Sequence, residues 1–434
     1  MCRRMIIFVF IYCKIEMTST PKIPVVAICI MFALCFMIAF VTNLAGSMGV
    51  IVQSQFDTSN ALSQLGTLAN FIAYACMGIP GGWISQRKGY KFTILLAIII
   101  GIVGVSIQFL SGYVASFVVY VLGAFIAGFS VCLLNIVVMP MLNTLGGGGN
   151  KGNQMVQYGN TFNSLGGTLA PVLLGYLMGD AVEVTTVSDA VPAMIIALSI
   201  FVVALLVIIF SKLPEPYLQQ QTTNSQLPKD KHSPLSFVHF ILGAIAVFFY
   251  VGIEVGIPNT ANLYLSNLPS VGPTVAGGLI GAYWFMMLIG RLVGGLIGAK
   301  VSSKIMLTVV SSLAIVMVLC MMFLPDTLVK IPFLGLLPLN MFCMLGCGLA
   351  ASVMWGNIFN LSTEGLGKYT PMASGIFMTL VCGGGLLPYL QNVLADIPSI
   401  GYIGSYLLIV VALVYILLYA IVGSKNRNTD IIVS

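Results

Sequence analysis

Long apolar runs dominate this sequence and limit what it can fold into. Between polar or Pro/Gly-rich breaks, twelve segments are long enough to cross a bilayer, which takes about 20 apolar residues. We therefore predict an all-α integral membrane protein whose helices occupy most of its length. The predicted spans run approximately over 24–53, 60–85, 92–111, 115–145, 153–178, 191–211, 236–264, 273–298, 303–324, 332–361, 371–395 and 401–422.

Composition excludes several other classes of protein. The chain of 434 residues is 59% hydrophobic and 7% charged, whereas a soluble domain carries about 25% charged residues. A soluble enzyme, a disordered chain and a nucleic-acid-binding protein do not fit this shortage of charge. The ten cysteines lie mostly in apolar runs and are expected to be small buried hydrophobes. Neither a metal site nor a cofactor is predicted.

The longest polar stretch divides the predicted spans into two sets of six. It runs over 212–234, is rich in Pro and Gln, and reads as a cytoplasmic linker. The first six-helix half is then predicted over 24–211 and the second over 235–423. A short cytoplasmic tail, 424–434, completes the chain.

The first residues, 1–23, form a separate N-terminal extension. The apolar segment Met5 to Cys13 is too short to span a bilayer, and no small-residue cleavage site follows it. We expect the natural chain to begin at Met17. A short interfacial anchor is the alternative.

The distribution of basic residues predicts the orientation, because Lys and Arg are retained on the cytoplasmic side. With the N-terminus inside, 16 of the 18 basic residues fall on the inner side. Lys330 lies outside, and Arg291 lies within the eighth span. Both termini are therefore predicted to be cytoplasmic. The outer loops carry acidic residues instead: Asp57, Asp180, Glu183, Asp189, Asp326 and Asp396.

The loop between the second and third spans carries a recognisable pattern. Its glycines, Gly82 and Gly89, and its basic residues, Arg87 and Lys91, resemble the GxxxDRxGxK loop of the major facilitator superfamily. Gln86 stands where that pattern has Asp. The superfamily has two six-helix halves with substrate bound near mid-membrane, and the resemblance implies that this loop latches one state. A basic inner turn that merely follows the charge rule is the alternative.

Further stretches, in chain order, resemble the fucose/galactose/glucose symporter family from about residue 24 to 422. They are Asn135 to Gly146 followed by Asn160-Thr-Phe-Asn163-Ser-Leu-Gly166, Tyr250-Val-Gly-Ile-Glu254-Val, Tyr283-Trp284 with Gly290-Arg291, Met354-Trp-Gly-Asn357-Ile-Phe359, and Gly383-Gly-Gly385 to Pro388 with Gln391 and Asp396.

This resemblance implies a bacterial inner-membrane carrier that moves a hexose or 6-deoxyhexose by alternating access. Its partners would be the sugar and the lipid bilayer, with no nucleic acid, and we expect a monomer. In this family an acid on the first helix and an acid on the fourth are implicated in coupling. Here the first-helix region reads Val41-Thr42-Asn43-Leu44 and the fourth-helix position is Asn135, so both acids are missing. Coupling to a proton by that route is therefore in doubt, and sodium coupling or uncoupled passage stays open.

Glu254 is the only acidic residue deep inside a predicted span. A charge there costs on the order of 3 kcal/mol on insertion scales, so it must face water or the protein interior. One role is coupling, through a bound proton or sodium ion, or contact with sugar hydroxyls. The other is a structural pair with Arg291 on the next span, and a pair that breaks during the cycle would serve both.

Sugar hydroxyls call for amide partners, and the apolar face of a sugar calls for an aromatic ring. The alternatives are amides that bond across helices and aromatic rings that pack. The residues predicted to contact substrate are Asn43, Asn135, Asn160, Asn163, Glu254, Asn259, Tyr283, Trp284, Asn357 and Gln391.

Breaks in the spans and rival functions complete the expectations. Pro258, Gly383 to Gly385 and Pro388 are expected either to break their helices near the site or to allow close packing.

A membrane enzyme is disfavoured because the spans hold no converging catalytic set. A carrier of a non-sugar solute, such as a drug antiporter, is the main competitor. An uncoupled sugar facilitator is another.

Overall fold

The structure is a computed structural model that describes residues 25–147, 149–178, 190–211, 213, 215, 232–297, 301–331, 335–366 and 370–426. The N-terminal extension with Met17, most of the predicted linker and the last residues of the tail lie outside the described residues. The predicted boundaries there stay predictions.

The described residues of the first half form six long helices and one short one. Long helices form because lipid offers no hydrogen-bond partners, so the backbone must satisfy its own groups. They are α1 (Val25–Phe56), the short α2 (Asn60–Ser63), α3 (Leu65–Lys88), α4 (Tyr90–Val114), α5 (Phe117–Leu145), α6 (Gly149–Met178) and α7 (Val191–Phe210).

The second half has the same number of passes but more interruptions. Its elements are a 3-10 turn (Pro234–Ser236), α8 (Val238–Ser266), α9 (Gly272–Ile297), α10 (Ser303–Phe323), strands β1 (Leu328–Ile331) and β2 (Gly335–Pro338), a 3-10 turn (Leu339–Phe342), α11 (Cys343–Ala351), α12 (Met354–Thr363), α13 (Thr370–Leu380), α14 (Gly383–Ala395), α15 (Gly401–Leu418) and a π turn (Tyr419–Gly423).

All twelve predicted spans coincide with helical passes, which confirms the predicted fold class. In the described chain, ten passes combine enough length with enough hydropathy to cross a membrane. The other two are α3 and α6. They are more polar, and the first half of α6 is rich in Asn and Gln.

Three predicted details differ from the structure. The tenth span was predicted to begin at 332, but 335–338 form β2, which pairs antiparallel with β1, and helical structure begins at Leu339. The tenth pass is also interrupted between α11 and α12, where no break was predicted. The eleventh is interrupted between α13 and α14, next to the glycine run where a break was one of the expected outcomes. In contrast, α8 continues through Pro258 without a break, because proline removes only one backbone donor and neighbouring groups can compensate.

Glycines let the two halves approach closely along α6 and α9. A Cβ at Gly277 of α9 would lie 2.5 Å from the carbonyl oxygen of Pro171 and 3.0 Å from the Cα of Gly175, both in α6. On α14, Gly384 and Gly385 pack against Phe71 and Leu68 of α3. The close-packing role expected for the glycine run is therefore present, next to the break at its start.

We call the end of the molecule that carries Asp57, Asp326 and Asp396 the outer end. There an outer network joins the two halves. The Asp396 carboxylate accepts the backbone N–H groups of Asn60 and Ala61, both at 2.9 Å. The Tyr402 hydroxyl donates to Asn60 Oδ1 at 2.6 Å.

Two further bonds complete the outer network. Gln53 donates to Asn60 Oδ1 at 2.6 Å, and Asn267 donates to Gln53 Oε1 at 3.0 Å. Below this layer, Asn259 of the second half donates to Gln64 Oε1 of the first half at 3.1 Å. The halves are thus closed against each other at the outer end.

Loss of the Asp396 carboxylate should open the outer end. Asp396→Ala leaves two N–H groups of the α2 region without their acceptor, so the closed arrangement loses stability. A cysteine introduced at Asn262, which is buried in α8, should then react several-fold faster with a membrane-impermeant maleimide added outside. Asp326→Ala, which removes an exposed outer acid, is the matched control and should leave the rate unchanged. Equal rates in both variants would contradict the proposed closing role.

Candidate functional site

A cavity of about 140 Å³ lies between the two halves. Most of its polar residues lie near the middle of their helices, as a mid-membrane site requires. Its polar and aromatic lining consists of Thr42, Asn43, Phe71, Tyr74, Asn135, Gln157, Asn160, Asn163, Tyr250, Glu254, Trp284, Arg291, Ser352 and Trp355.

Four predicted amides of the first half converge on this cavity. Asn43 lies in α1, Asn135 in α5, and Asn160 and Asn163 lie three residues apart in α6, hence on one face. Asn43 donates to the Ala39 carbonyl of its own helix at 2.9 Å. This bond orients the Asn43 side chain from within its own helix.

The remaining bonds of these amides fix their orientation. Asn135 donates to the Tyr74 hydroxyl at 2.8 Å and to the Val131 carbonyl at 3.1 Å. Asn163 donates to the Cys35 carbonyl of α1 at 3.2 Å. The cross-helix bonding considered as the alternative role thus occurs for Asn135 and Asn163. It directs these side chains and does not withdraw them from the cavity.

Arg291 joins three helices at the inner side of the cavity. Its Nη2 donates to Glu254 Oε1 of α8 at 3.0 Å, which forms a salt bridge. Its Nη1 donates to the Asn160 carbonyl at 2.9 Å and to the Ser164 hydroxyl at 2.6 Å, both in α6. Arg291 therefore binds its own half and the opposite half at once. The Glu254 side chain keeps 13% of its surface exposed, on a cavity that it lines.

Aromatic rings form the rest of the second-half wall. The Trp284 ring packs over Gly167 of α6, where an added Cβ would lie 3.0 Å from the ring. Its Nε1 is buried, with no acceptor among the described residues. Trp355 lies beside Tyr250, with ring centroids 6.1 Å apart. The two indoles give the cavity flat apolar faces next to its amides.

Both helix breaks of the second half reach the cavity. Ser352 lies at the break between α11 and α12, and Val381 at the break between α13 and α14, and both line the cavity. The first break packs against Gly290 of α9. Only glycine fits at this position, because a Cβ there would clash with Ser352. Ser352 donates to the Leu349 carbonyl at 2.6 Å, so its side chain replaces part of the lost helical bonding.

Four other predicted substrate contacts lie outside the cavity lining. Asn259 pairs with Gln64 in the layer above the cavity. Tyr283 is buried and donates to the Glu254 carbonyl oxygen at 3.2 Å. Asn357 donates to the Val353 carbonyl of its own region at 3.0 Å. Gln391 is fully buried against Gly256, and neither of its amide atoms has a partner in the described chain.

Some lining residues were not singled out as site residues from the sequence. Thr42 and Gln157 are examples, as are Tyr74 and Ser352. Gln157 precedes Asn160 by three residues, so helical spacing alone would have placed it on the same face. Nothing in the local sequence marks Ser352, since no Pro or Gly lies at that break.

The predicted gating loop is reduced to a single residue. Gly89 alone joins α3 to α4, and its φ of 85° lies in the left-handed region that favours glycine. Gly82 has open space around it. Gln86 lies in α3, and its side chain is outside the described residues.

Lys91 and a residue of the linker hold this junction. Glu215 accepts the backbone N–H groups of Tyr90 and Lys91 at 2.6 and 2.8 Å, at the start of α4. The Lys91 ammonium donates to the carbonyls of Ile209 and Ser211 at 2.9 and 2.8 Å, at the end of α7. Negative charge at a helix start and positive charge at a helix end are both favourable.

Arg87 is placed differently from Lys91. Its guanidinium carbon lies 4.1 Å from the ring centre of Trp83, one turn earlier in α3. Both side chains are exposed. The basic residues of the loop therefore divide into one that ties helices together and one that faces outward.

The sequence profile of the Major Facilitator Superfamily matches residues 30–389. The chain belongs to the Major Facilitator Superfamily. The match spans both halves, and with it the cavity between them. The twelve helical passes are therefore those of a multi-pass membrane transporter family.

Proteins named as glucose/galactose transporters are similar to this chain along nearly their whole length. A glucose/galactose transporter of Brucella abortus biovar 1 (strain 9-941) is 27% identical over 416 residues, which cover 94% of this chain and 97% of the relative. A putative glucose/galactose transporter of Helicobacter pylori (strain J99 / ATCC 700824) is 25% identical over 413 residues, which cover 92% and 97%.

Solved structures show the same fold. FucP, a Major Facilitator Superfamily transporter in the outward conformation, has a TM-score of 0.68 at 19% identity and covers 92% of this chain and 99% of its own. The xylose transporter XylE from E. coli, in a partially occluded inward open conformation, has a TM-score of 0.70 at 12% identity, with 94% and 99% covered.

Removal of Arg291 should cost more stability than removal of the whole ion pair. Arg291→Gln leaves the Glu254 carboxylate nearly buried without its cation, which costs about 3 to 5 kcal/mol for a buried pair. In Glu254→Gln/Arg291→Gln no charge is left unpaired, so the melting temperature in detergent should recover toward that of the wild type. A double variant that melts below Arg291→Gln would contradict this reading of the pair.

Proposed function

We propose that this protein is a secondary transporter that moves a monosaccharide, a hexose or 6-deoxyhexose, across the membrane by alternating access. The observation that carries the proposal is the mid-depth cavity between the halves, where amides, one ion pair and two indoles converge. The similar proteins named as glucose/galactose transporters support the same substrate class.

The chemistry of the cavity suits a small polyhydroxylated solute. Asn43, Asn135, Gln157, Asn160 and Asn163 offer both donors and acceptors, as sugar hydroxyls require. An indole face can cover the apolar side of the ring. A volume of about 140 Å³ is small against typical ligand pockets of roughly 300 to 1,000 Å³, and this favours a monosaccharide over a polycyclic drug.

Alternating access requires contacts between the halves that can form and break. At the outer end the outer network holds the halves together through Asp396. At the cavity, Arg291 bonds to Asn160 and Ser164 of the opposite half. We propose that rocking of the halves exchanges one set of these contacts for another, so that the cavity faces one side at a time.

Glu254 is the proposed coupling residue. It lines the cavity, keeps 13% of its side chain exposed, and bonds to a cation that also binds the other half. A proton or sodium ion that binds the carboxylate would weaken its hold on Arg291, and this would free the contact between halves. Coupling through Glu254 would replace the route through acids on the first and fourth helices, both of which this chain lacks.

The cellular setting follows from the same proposal. The bacterial relatives support an inner membrane location, and the distribution of basic residues supports cytoplasmic termini. The cavity is formed within one chain, so a monomer suffices for transport. Transport changes no covalent bond of the solute, and the protein is not proposed to be an enzyme.

Uptake into proteoliposomes tests the proposal. Labelled fucose, galactose, glucose and N-acetylglucosamine are offered under a proton gradient, a sodium gradient or neither. We expect one sugar to accumulate, and Asn160→Ala, which removes a cavity amide, to lower its uptake at least tenfold. Asn357→Ala, which removes a buried amide outside the cavity, is the matched control and should retain most uptake. If folded protein transports none of these sugars, their role as substrates is excluded, and a non-sugar solute becomes the better candidate.

Glu254→Gln separates coupling from binding. Gln keeps the shape of the side chain but has no carboxylate, so a proton or sodium ion has no charged group to bind there. Uphill accumulation should be lost, while exchange of labelled for unlabelled sugar across the membrane continues. Loss of both activities in a folded variant would show that Glu254 serves binding or folding and would contradict the coupling role.

A further inference from the structure

A groove at the inner end of α3 and α4 includes Arg87 of the predicted gating loop but takes no part in the transport steps proposed above. It is lined by Trp83, Ile84, Arg87, Lys88, Phe92 and Leu96. The groove lies on the outside of the first half, away from the cavity between the halves. The groove combines two cations, Arg87 and Lys88, with an apolar wall formed by the other lining residues. The cations and the wall lie next to each other along the helices.

The cations of this groove have no acidic partner in the described residues. Among the described residues, the salt bridge that is present joins Arg291 and Glu254 at the cavity between the halves, and no described carboxylate lies within 4 Å of Arg87 or Lys88. The sequence itself contains no Asp or Glu between Asp57 and Asp180. Glu215 reaches this loop, but its oxygens accept backbone N–H groups of Tyr90 and Lys91. The described residues that line the groove therefore carry a net positive charge, from Arg87 and Lys88.

The apolar wall of the groove continues into the bilayer. Trp83 is 55% exposed and Phe92 is 47% exposed. Farther along the same two helices, Ile79, Ile99 and Val103 are exposed as well. Such a stripe on a spanning helix faces lipid chains. Trp83 lies at the inner ends of the spans, the level that interfacial aromatic residues occupy.

We propose that this groove binds an anionic phospholipid of the inner leaflet. Arg87 and Lys88 hold the phosphate, since Arg in particular matches phosphate geometry. One acyl chain lies along the wall that Trp83, Phe92 and Leu96 form. The stacking of Arg87 on Trp83 at 4.1 Å holds the guanidinium at the boundary between the two parts. A free phosphate would use the cations alone and leave the apolar wall without a partner.

Quenching of tryptophan fluorescence by brominated lipid tests the proposal on the full chain. The protein is placed in nanodiscs of a zwitterionic phosphatidylcholine with a graded fraction of phosphatidylglycerol brominated on its acyl chains. The chain has three tryptophans, and Trp83 is the exposed one whereas Trp284 is buried. We expect quenching that saturates at a low phosphatidylglycerol fraction and exceeds the quenching by brominated phosphatidylcholine. Trp83→Phe should remove this saturating component.

Charge variants identify the phosphate contacts. Arg87→Gln and Lys88→Gln should each weaken the preference for phosphatidylglycerol about fivefold, the effect of one basic charge near an anionic lipid surface. Arg87→Lys keeps the charge but loses the planar guanidinium that matches the phosphate and stacks on Trp83, so it should retain only part of the preference. Lys304→Gln removes an exposed inner lysine of the second half and is the matched control, with no change expected. Circular dichroism and a monodisperse elution profile establish that each variant is folded.

Several outcomes would overturn the proposal. Equal quenching by the two brominated lipids would show ordinary lipid contact without a site. An unchanged preference in Arg87→Gln/Lys88→Gln would remove the phosphate contacts. Displacement of the lipid by an equal concentration of soluble glycerol phosphate would indicate a site for free anions. The readout is lipid binding, so it does not depend on whether the transported solute is a sugar.

Discussion

Arg291 is the residue on which the arrangement of the two halves most depends. A cation inside a membrane span must be paired, and Arg291 meets this requirement with Glu254 in its own half and with Ser164 and the Asn160 carbonyl in the other half. The same bonds hold α6 beside α9 and fix one edge of the cavity. Arg291 is thus needed for stability and also lies at the interface between the two halves.

Much of the fold could be predicted from the sequence because the hydropathy of each span is set by its own residues. The twelve spans and the loop around Gly89 follow from runs of residues that need no knowledge of their neighbours. The pairing of Glu254 with Arg291 could be considered in advance because few charges lie inside the spans. The break at Ser352 could not be predicted, since it depends on how α9 packs against the tenth pass at Gly290.

The lining of the cavity was predictable only in part, because it depends on the rotation of each helix. Asn160 and Asn163 share a face by spacing alone, and both line the cavity. Asn357 and Gln391 have equally suitable side chains, but the packing of their helices directs them into other layers. Asn259 meets Gln64, a partner almost two hundred residues away that no local pattern indicates. Tertiary contacts, and not residue type, decide which amides can meet a solute.

The contact between Glu215 and the start of α4 has a consequence for the mechanics of the molecule. Glu215 belongs to the segment that connects the two halves, yet both of its carboxylate oxygens are bound to the first half. The connection therefore does not begin where α7 ends. Glu215 itself is bound to the first half, so the chain that is left to reach the second half begins after Glu215 and is correspondingly shorter.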